Sequence, residues 1–419
     1  MTGRRRWIAL ALVFGLCLFT WTANANAEKT FKIGVLGPFT GGSAKVGAEF
    51  KCSVEMALEK IGYKVGDYKI EVVWVDTQYD PAKAASAYSE AVEKGGIQIG
   101  IMEWSSSVTM AIMDMAIDYG VPQLFPLGSA QIVVDKWRSN PEKYKIWSTK
   151  GWPVPGTLIK EYVGCLNDSI ARGLWKPEKK LVAVYGEDTD YGRSEGAAFE
   201  AAFKELGWEI ASVDYFPVSQ TDFYNMLSRY KSKGVAVLAG ASNYPAMGSF
   251  VKQASEVGLK SLIIGDGIGW TGNWYEQTGN ASNYMLDMIP QMATPQAQAW
   301  AKSAKEKCGF TPSAAGGALV YDYFNFALKI FKRALDQYGV LDKDSVIKVV
   351  KNELQTGKLT YKAEDGALIM KEYKFTPETL PDPVVGPDHF FFPVVQYFDG
   401  KGVIVYPPSV KQGDFKAKK

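Results

Sequence analysis

The sequence predicts an α/β protein built as two doubly wound lobes, each a parallel sheet covered by helices on both faces. Three observations predict it. Short apolar runs alternate with stretches of helical periodicity from Phe31 onward. The alternation restarts after Tyr144–Thr149 and repeats. The chain of 419 residues is also too long for one hydrophobic core, which favours two domains.

Taken in order, Phe31–Leu36 reads as a strand and Gly37–Gly42 as a glycine-rich turn. A helix over 46–61 follows, with Phe50, Val54, Ala57 and Leu58 as its apolar stripe. Tyr68–Val75 alternates as a second strand, and Asp80-Pro81 supplies an N-cap and a proline at the first helical position. That helix ends at Gly95-Gly96, before a strand over 97–102, a helix over 109–119 and a strand over 121–125. In the second unit, helices are expected over 156–173, 194–206, 223–233 and 246–258. They alternate with strands over 180–185, 208–215, 235–238 and 261–264. Helices at 296–307, 314–338 and 343–354 follow, then β-structure over 359–373 and 390–406 around the proline-rich 377–387. The aromatics Tyr321, Tyr323, Phe324, Phe326 and Phe331 keep helical spacing and read as packing.

The first 27 residues have the layout of a removable export signal: Arg4–Arg6, the apolar run Trp7–Thr22, and overlapping A-x-A sites in Ala23–Ala27. The run is short for a membrane span, which takes roughly 20 residues. Cys17 follows Leu16, where a lipoprotein signal usually carries a small residue, so cleavage after Ala27 into the periplasm is expected. Without that leader, 44 basic side chains face 45 acidic ones. A near-neutral chain gives no electrostatic reason for nucleic acid or membrane as partners. Cys52, Cys165 and Cys308 remain, enough for one disulfide with one thiol left over.

In open parallel sheets ligands bind at the carboxyl ends of the strands. Two such rows facing one another would line a cleft. Trp104-Ser105-Ser106-Ser107 opens a helix whose free N–H groups suit a carboxylate. Pro126–Ser129, Gly186–Gly192, Ala241–Pro245 (with Asn243) and Gly265–Trp270 occupy corresponding turns. A serine at a helix start is also an ordinary cap, and Tyr191-Gly192 an ordinary turn.

These residues resemble the periplasmic Leu/Ile/Val-binding proteins of branched-chain amino-acid ABC transporters. The resemblance rests on Ile33–Gly41, Asp76 with Asp80-Pro81, Ser105–Ser107, Gly120–Pro126, Tyr191-Gly192, and Met247–Ala254 with Gly258-Leu259. It implies the type I fold with three hinge crossovers, near Thr149, Ile289 and Pro387. Lobe 1 would then comprise 28–149 and 290–387, and lobe 2 150–289 and 388–419. It implies that Ser105 and Ser129, with the Leu127 carbonyl, hold a ligand carboxylate, and that Tyr191 closes over it. An acid near Gly267 would receive the ligand ammonium, a role that Asp266 can fill. Val46 stands where the family carries an aromatic ligand contact. Trp104, Trp152 and Trp270, with Ser106 and Asn243, complete the expected site, and a tryptophan-rich cleft suits an aromatic body.

The expected function is solute binding by hinge closure, without catalysis, cofactor or metal. The expected partners are a small carboxylate-bearing ligand (amino acid or aromatic acid) and the permease subunits of an ABC transporter, with the protein acting as a monomer. Two alternatives are a sensor signalling to a membrane receptor and a binder of amides or ureas. The lone histidine, His389, lies in a proline-rich aromatic segment, and no zinc or nucleotide motif is present.

Overall fold

The computed structural model describes residues 29–242, 246–271, 274–289 and 292–418. The expected leader therefore lies outside the described residues. The first part of the chain runs β1 (Lys29–Gly37), α1 (Ala44–Lys60), β2 (Lys64–Val65), β3 (Tyr68–Asp76), α2 (Pro81–Glu93), β4 (Ile99–Ile101), α3 (Ser106–Asp118) and β5 (Gln123–Leu124). Its sheet has the order β2-β3-β1-β4-β5, parallel except for the short β2–β3 pair. Phe31, Ile33, Val35 and Leu36 of β1 are all fully buried, as expected of a central strand with both faces covered. At α2 the Asp80 carboxylate accepts from the amides of Ala82 and Lys83, and Pro81 starts the first turn.

Helices α4 (Gln131–Ser139) and α5 (Pro141–Tyr144) follow, where the sequence reading placed none. The second part runs α6 (Pro155–Ala171), β6 (Leu181–Glu187), α7 (Asp190–Glu205), β7 (Glu209–Phe216), α8 (Tyr224–Lys233), β8 (Val237–Ala241), α9 (Ala246–Glu256), β9 (Leu262–Asp266), α10 (Trp274–Thr278) and β10 (Leu286–Met288). The chain then forms α11 (Pro295–Cys308), α12 (Val320–Tyr338) and α13 (Lys343–Val349), the latter two flanked by π-helical segments at Ala314–Leu319 and Val350–Leu354. It ends with β11 (Tyr361–Lys362), β12 (Glu372–Tyr373), β13 (Val394–Phe398) and β14 (Lys401–Tyr406).

The second sheet has the order β14-β13-β10-β9-β8-β6-β7. Its core is parallel, and β13 joins β10 antiparallel with β14 outside it. Helices α11 and α12 pack instead on α1 of the first lobe. Ser53 of α1 donates to the Gly317 carbonyl at 2.9 Å, and a Cys52–Cys308 disulfide joins α1 to the end of α11. Cys165 is the buried free thiol.

Two local expectations are corrected. Only β11 and β12 are strands within 359–373, because the buried Asp322 carboxylate takes the amides of Leu368 and Ile369 at 2.8 and 2.9 Å. Those N–H groups bond a side chain rather than a ladder. Tyr191-Gly192 is not a turn but the first turn of α7, since the Thr189 hydroxyl caps the helix by accepting from the Gly192 amide at 3.2 Å.

Candidate functional site

The loop after β3 and the helices α3 and α4 of the first lobe meet the end of β6 and helix α7 of the second along one seam. At the end of β4 the backbone is unusual: Met102 and Glu103 have φ of 65° and 154°, and Phe125 after β5 has 54°. Such left-handed conformations in side-chain-bearing residues persist only where the surroundings hold them. Here the Gln123 side-chain amide donates to the Met102 carbonyl, and the Leu127 amide donates to the Glu103 carbonyl at 2.7 Å. Gly100 is required beside them, because a Cβ there would sit 1.8 Å from Gln123 Oε1.

Ser105 is the N-cap of α3 and accepts from the Val108 amide at 3.4 Å, so its hydroxyl proton can point elsewhere. Its own amide donates to Glu103 Oε1 at 2.8 Å. Burial pushes the Glu103 carboxyl up to about 7, against the pull of the Ser105 amide and the Thr77 hydroxyl. Ser106 accepts from the Ala130 amide at 3.1 Å and thereby fixes the loop that carries Leu127 and Ser129. The Ser129 carbonyl accepts from Lys150 Nζ at 3.3 Å. Lys150, with no exposed side-chain surface, pairs with Asp382 Oδ1 at 2.9 Å, and Asp382 Oδ2 takes the Val154 amide at 3.0 Å. One buried ion pair thus ties three segments: the Ser129 loop, the start of α6 and the proline-rich 377–387.

In the opposite lobe Glu187 ends β6. It is fully buried and accepts from the hydroxyls of Thr189 at 2.9 Å, Ser242 at 3.1 Å and, across the seam, Tyr79 at 3.3 Å. A second bridge runs from the Gln131 amide to the Ser194 hydroxyl of α7 at 2.9 Å. Beside it, between α4 and α7, lies an open groove of about 480 Å³ lined by Gln131, Ile132, Asp190, Arg193 and Ser194 among others.

Tyr191 is buried, and its hydroxyl donates to the Asp266 carbonyl at 3.5 Å. The Asp266 carboxylate accepts from Tyr162 at 3.1 Å, and burial plus the charge of Asp287 hold its proton well above the carboxylate range. Asp287 accepts from the amides of Gly267, Gly269 and Met288 and from Tyr397, which shapes the loop after β9; burial pushes it up to about 6. Glu195, four residues after Tyr191 and so on the same helical face, is buried and likewise raised, by desolvation and then by Asp266.

Of the residues singled out in the sequence, Trp104, Ser105 and Ser106 follow β4, Leu127 and Ser129 follow β5, Tyr191 stands in the first turn of α7 and Asp266 ends β9. Trp104 is buried and meets Phe50 edge-on at 6.0 Å between ring centres. Val46 is buried in α1. Trp152 packs against Phe390 and Phe392, with centres 5.4 and 4.6 Å away, beside the crossing segments. Asn243 and the Trp270 side chain lie outside the described residues. His389 stands 3.2 Å from Glu372, in the proline-rich region. Sequence reasoning missed Tyr79, Glu103, Glu187, Glu195 and the Lys150–Asp382 pair. Glu187 ends β6 and Glu103 stands two residues past β4, positions that could have flagged them.

Comparison with known proteins follows this geometry. Residues 30–373 match the family model described as periplasmic binding protein. A Leu/Ile/Val-binding protein homolog 6 of Brucella abortus is 30% identical over 258 residues, 59% of this chain and 60% of that protein, so the match spans about three fifths of that relative's length. The leucine-, isoleucine-, valine-, threonine- and alanine-binding protein of Pseudomonas aeruginosa is 26% identical over 379 residues, 87% of this chain and 94% of that protein. These relatives are named as binding proteins rather than enzymes. Among solved structures, an ABC-transporter solute-binding protein of Rhodopseudomonas palustris in complex with 3,4-dihydroxybenzoic acid shares the fold at a TM-score of 0.72 and 20% identity, covering 93% of this chain and 98% of that one. Two parallel-sheet lobes, the interlobe seam at their strand ends and the match over most of the length agree: this chain belongs to the periplasmic binding protein family.

Proposed function

We infer that this protein is a periplasmic solute-binding protein that closes two lobes around a small organic ligand and presents it to an ABC importer. The observation that carries the reading is the Tyr79–Glu187 hydrogen bond, which joins the loop after β3 of one lobe to the end of β6 of the other. A ligand held between such loops gains contacts only when the lobes close, and that difference in affinity shifts the population. Lobe 1 is taken as 28–149 and 290–387, and lobe 2 as 150–289 and 388–419. The packing of α11 and α12 on α1, and of β13 on β10, supports that division.

The ligand is an amino acid or an aromatic acid, the two classes named for the relatives. Its carboxylate lies at the hydroxyls of Ser105 and Ser129, at the N-terminal end of α3. Tyr191 and Asp266 face it from the other lobe. The leader is removed after Ala27, releasing a monomer into the periplasm, where the permease subunits read the closed form. A thermal-shift screen of the mature protein against amino acids, aromatic acids, amides and ureas tests this. A true ligand raises the melting temperature with concentration. The Ser105→Ala/Ser129→Ala double variant should lose that shift for a carboxylate ligand, and an unchanged response removes the carboxylate assignment.

A further inference from the structure

A cavity lies between α6, the segment that precedes β13 and the end of β14, and none of the residues expected to hold the ligand lines it. It measures about 260 Å³ and is lined by Leu158, Glu161, Pro387, Phe391, Phe392 and Tyr406 among others. That is below the roughly 300–1,000 Å³ of pockets for drug-sized ligands, so its occupant has few heavy atoms. Packing fixes the walls. Phe392 is buried, with the rings of Trp152 and Phe390 centred 4.6 and 4.7 Å away. Tyr406 lies against Gly164 of α6, where a Cβ would sit 2.7 Å from the phenol oxygen. Glu161, three residues before Gly164, shares that face of the helix. It is the one charged residue of the lining, and among the described residues it forms no hydrogen bond or ion pair. Burial raises its carboxyl above the ordinary value, with no basic neighbour to pull it back.

A half-buried carboxylate without a partner, set among aromatic side chains, lacks a counter-charge that tolerates an apolar surrounding. We propose that this cavity is a second small-molecule site, separate from the interlobe cleft, and that it takes a small organic cation of the alkylated or quaternary ammonium class. Aromatic faces attract an ammonium group within about 6 Å, and most strongly where water is excluded. Glu161 supplies the opposite charge, and alkyl groups on the nitrogen cover the apolar surface of Leu158 and Pro387. A carboxylate-bearing solute meets only the like charge of Glu161 here, so the cleft and this cavity select opposite chemistry. A calcium ion is a poor occupant, because it takes about six to eight oxygen ligands and the lining offers one carboxylate among aromatic and proline rings.

The test is a calorimetric titration of the mature protein with choline, tetramethylammonium and 3,3-dimethylbutanol, the last being the uncharged carbon isostere of choline. The expected result is that at least one of the two cations binds about tenfold or more tightly than the isostere, the combined effect of a carboxylate and aromatic faces. Glu161→Gln should lose that preference, and Phe391→Leu should reduce it. The Ser105→Ala/Ser129→Ala double variant should bind the cations as wild type does. Equal binding of cation and isostere overturns the proposal, leaving an apolar cavity only. So does a Glu161→Gln protein that binds the cations as tightly as wild type, or a serine double variant that no longer binds them, since either places the cation elsewhere. Absence of any cation binding at millimolar concentration overturns it too, and leaves the solute-binding reading untouched. If Glu161→Gln does not fold, the wild-type ranking with Phe391→Leu decides.

Discussion

Tyr79 of one lobe donates its phenolic hydrogen to Glu187 of the other, at 3.3 Å, in a part of the seam where both residues are buried. Tyr79 itself has a φ of 61°, so the chain accepts an unfavourable backbone conformation in the loop that makes this contact.

Removing that hydroxyl should loosen the closed form. Tyr79→Phe is expected to weaken ligand affinity about three- to tenfold, the range of one ordinary intramolecular hydrogen bond after exchange with water. The radius of gyration of the unliganded protein should rise. Calorimetry and small-angle X-ray scattering on the same preparation check both, and an unchanged affinity would assign closure to other contacts.

Stability should depend on pH in an inverted sense. Burial raises Glu49 and Glu103 from 4.5 to about 7, and Asp322 from 3.8 to about 7. Between the unfolded and folded values the native state binds more protons than the unfolded chain. The stabilisation is therefore full below about pH 4 and is lost as pH rises to about 7. The melting temperature of the unliganded protein should fall across that window, and Glu103→Gln should flatten part of the slope. A melting series over several pH values measures it.

The buried pair Lys150–Asp382 should act as a unit. Desolvation lowers the lysine's proton affinity, and the carboxylate opposes it. Lys150→Met leaves Asp382 buried and uncompensated, which costs about 3–5 kcal/mol. Lys150→Met/Asp382→Leu should recover much of that loss. Urea denaturation of the two variants decides, and equal midpoints would refute the coupling.

Thiol chemistry should follow the Cys52–Cys308 pairing. Burial pushes the Cys165 thiol up to about 12, so the native protein without residues 1–27 should bind no thiol reagent, and the same chain unfolded but unreduced one equivalent. Reduction removes a link spanning 256 residues, and the melting temperature should fall by the equivalent of about 2–4 kcal/mol. Labelling counted by mass spectrometry tests the first part and a melt in reductant the second.

Much of the architecture was legible because its signals are local. Asp80-Pro81 announces α2 through a cap and a ring-fixed φ, and β1 announces itself through four buried apolar residues. Helix α4 carried no such signal, since its N-cap is Ala130, which makes no side-chain cap. Ser105 and Tyr191 were visible as chemistry at strand ends. Glu195 was not, because an acid on an amphipathic helix reads as a solvated face until tertiary packing buries it.

The sequence by itself determined the alternation of strand and helix, the two-lobed α/β class and the family resemblance. All of these follow from periodicity, caps and residue order along the chain. Only the tertiary structure decided which cysteines pair and which acids lose water. The physical reason is distance along the chain. Glu187 meets Tyr79 across 108 residues and Lys150 meets Asp382 across more than twice that, so no local pattern can encode whether a charge is solvated, paired or left waiting for a ligand.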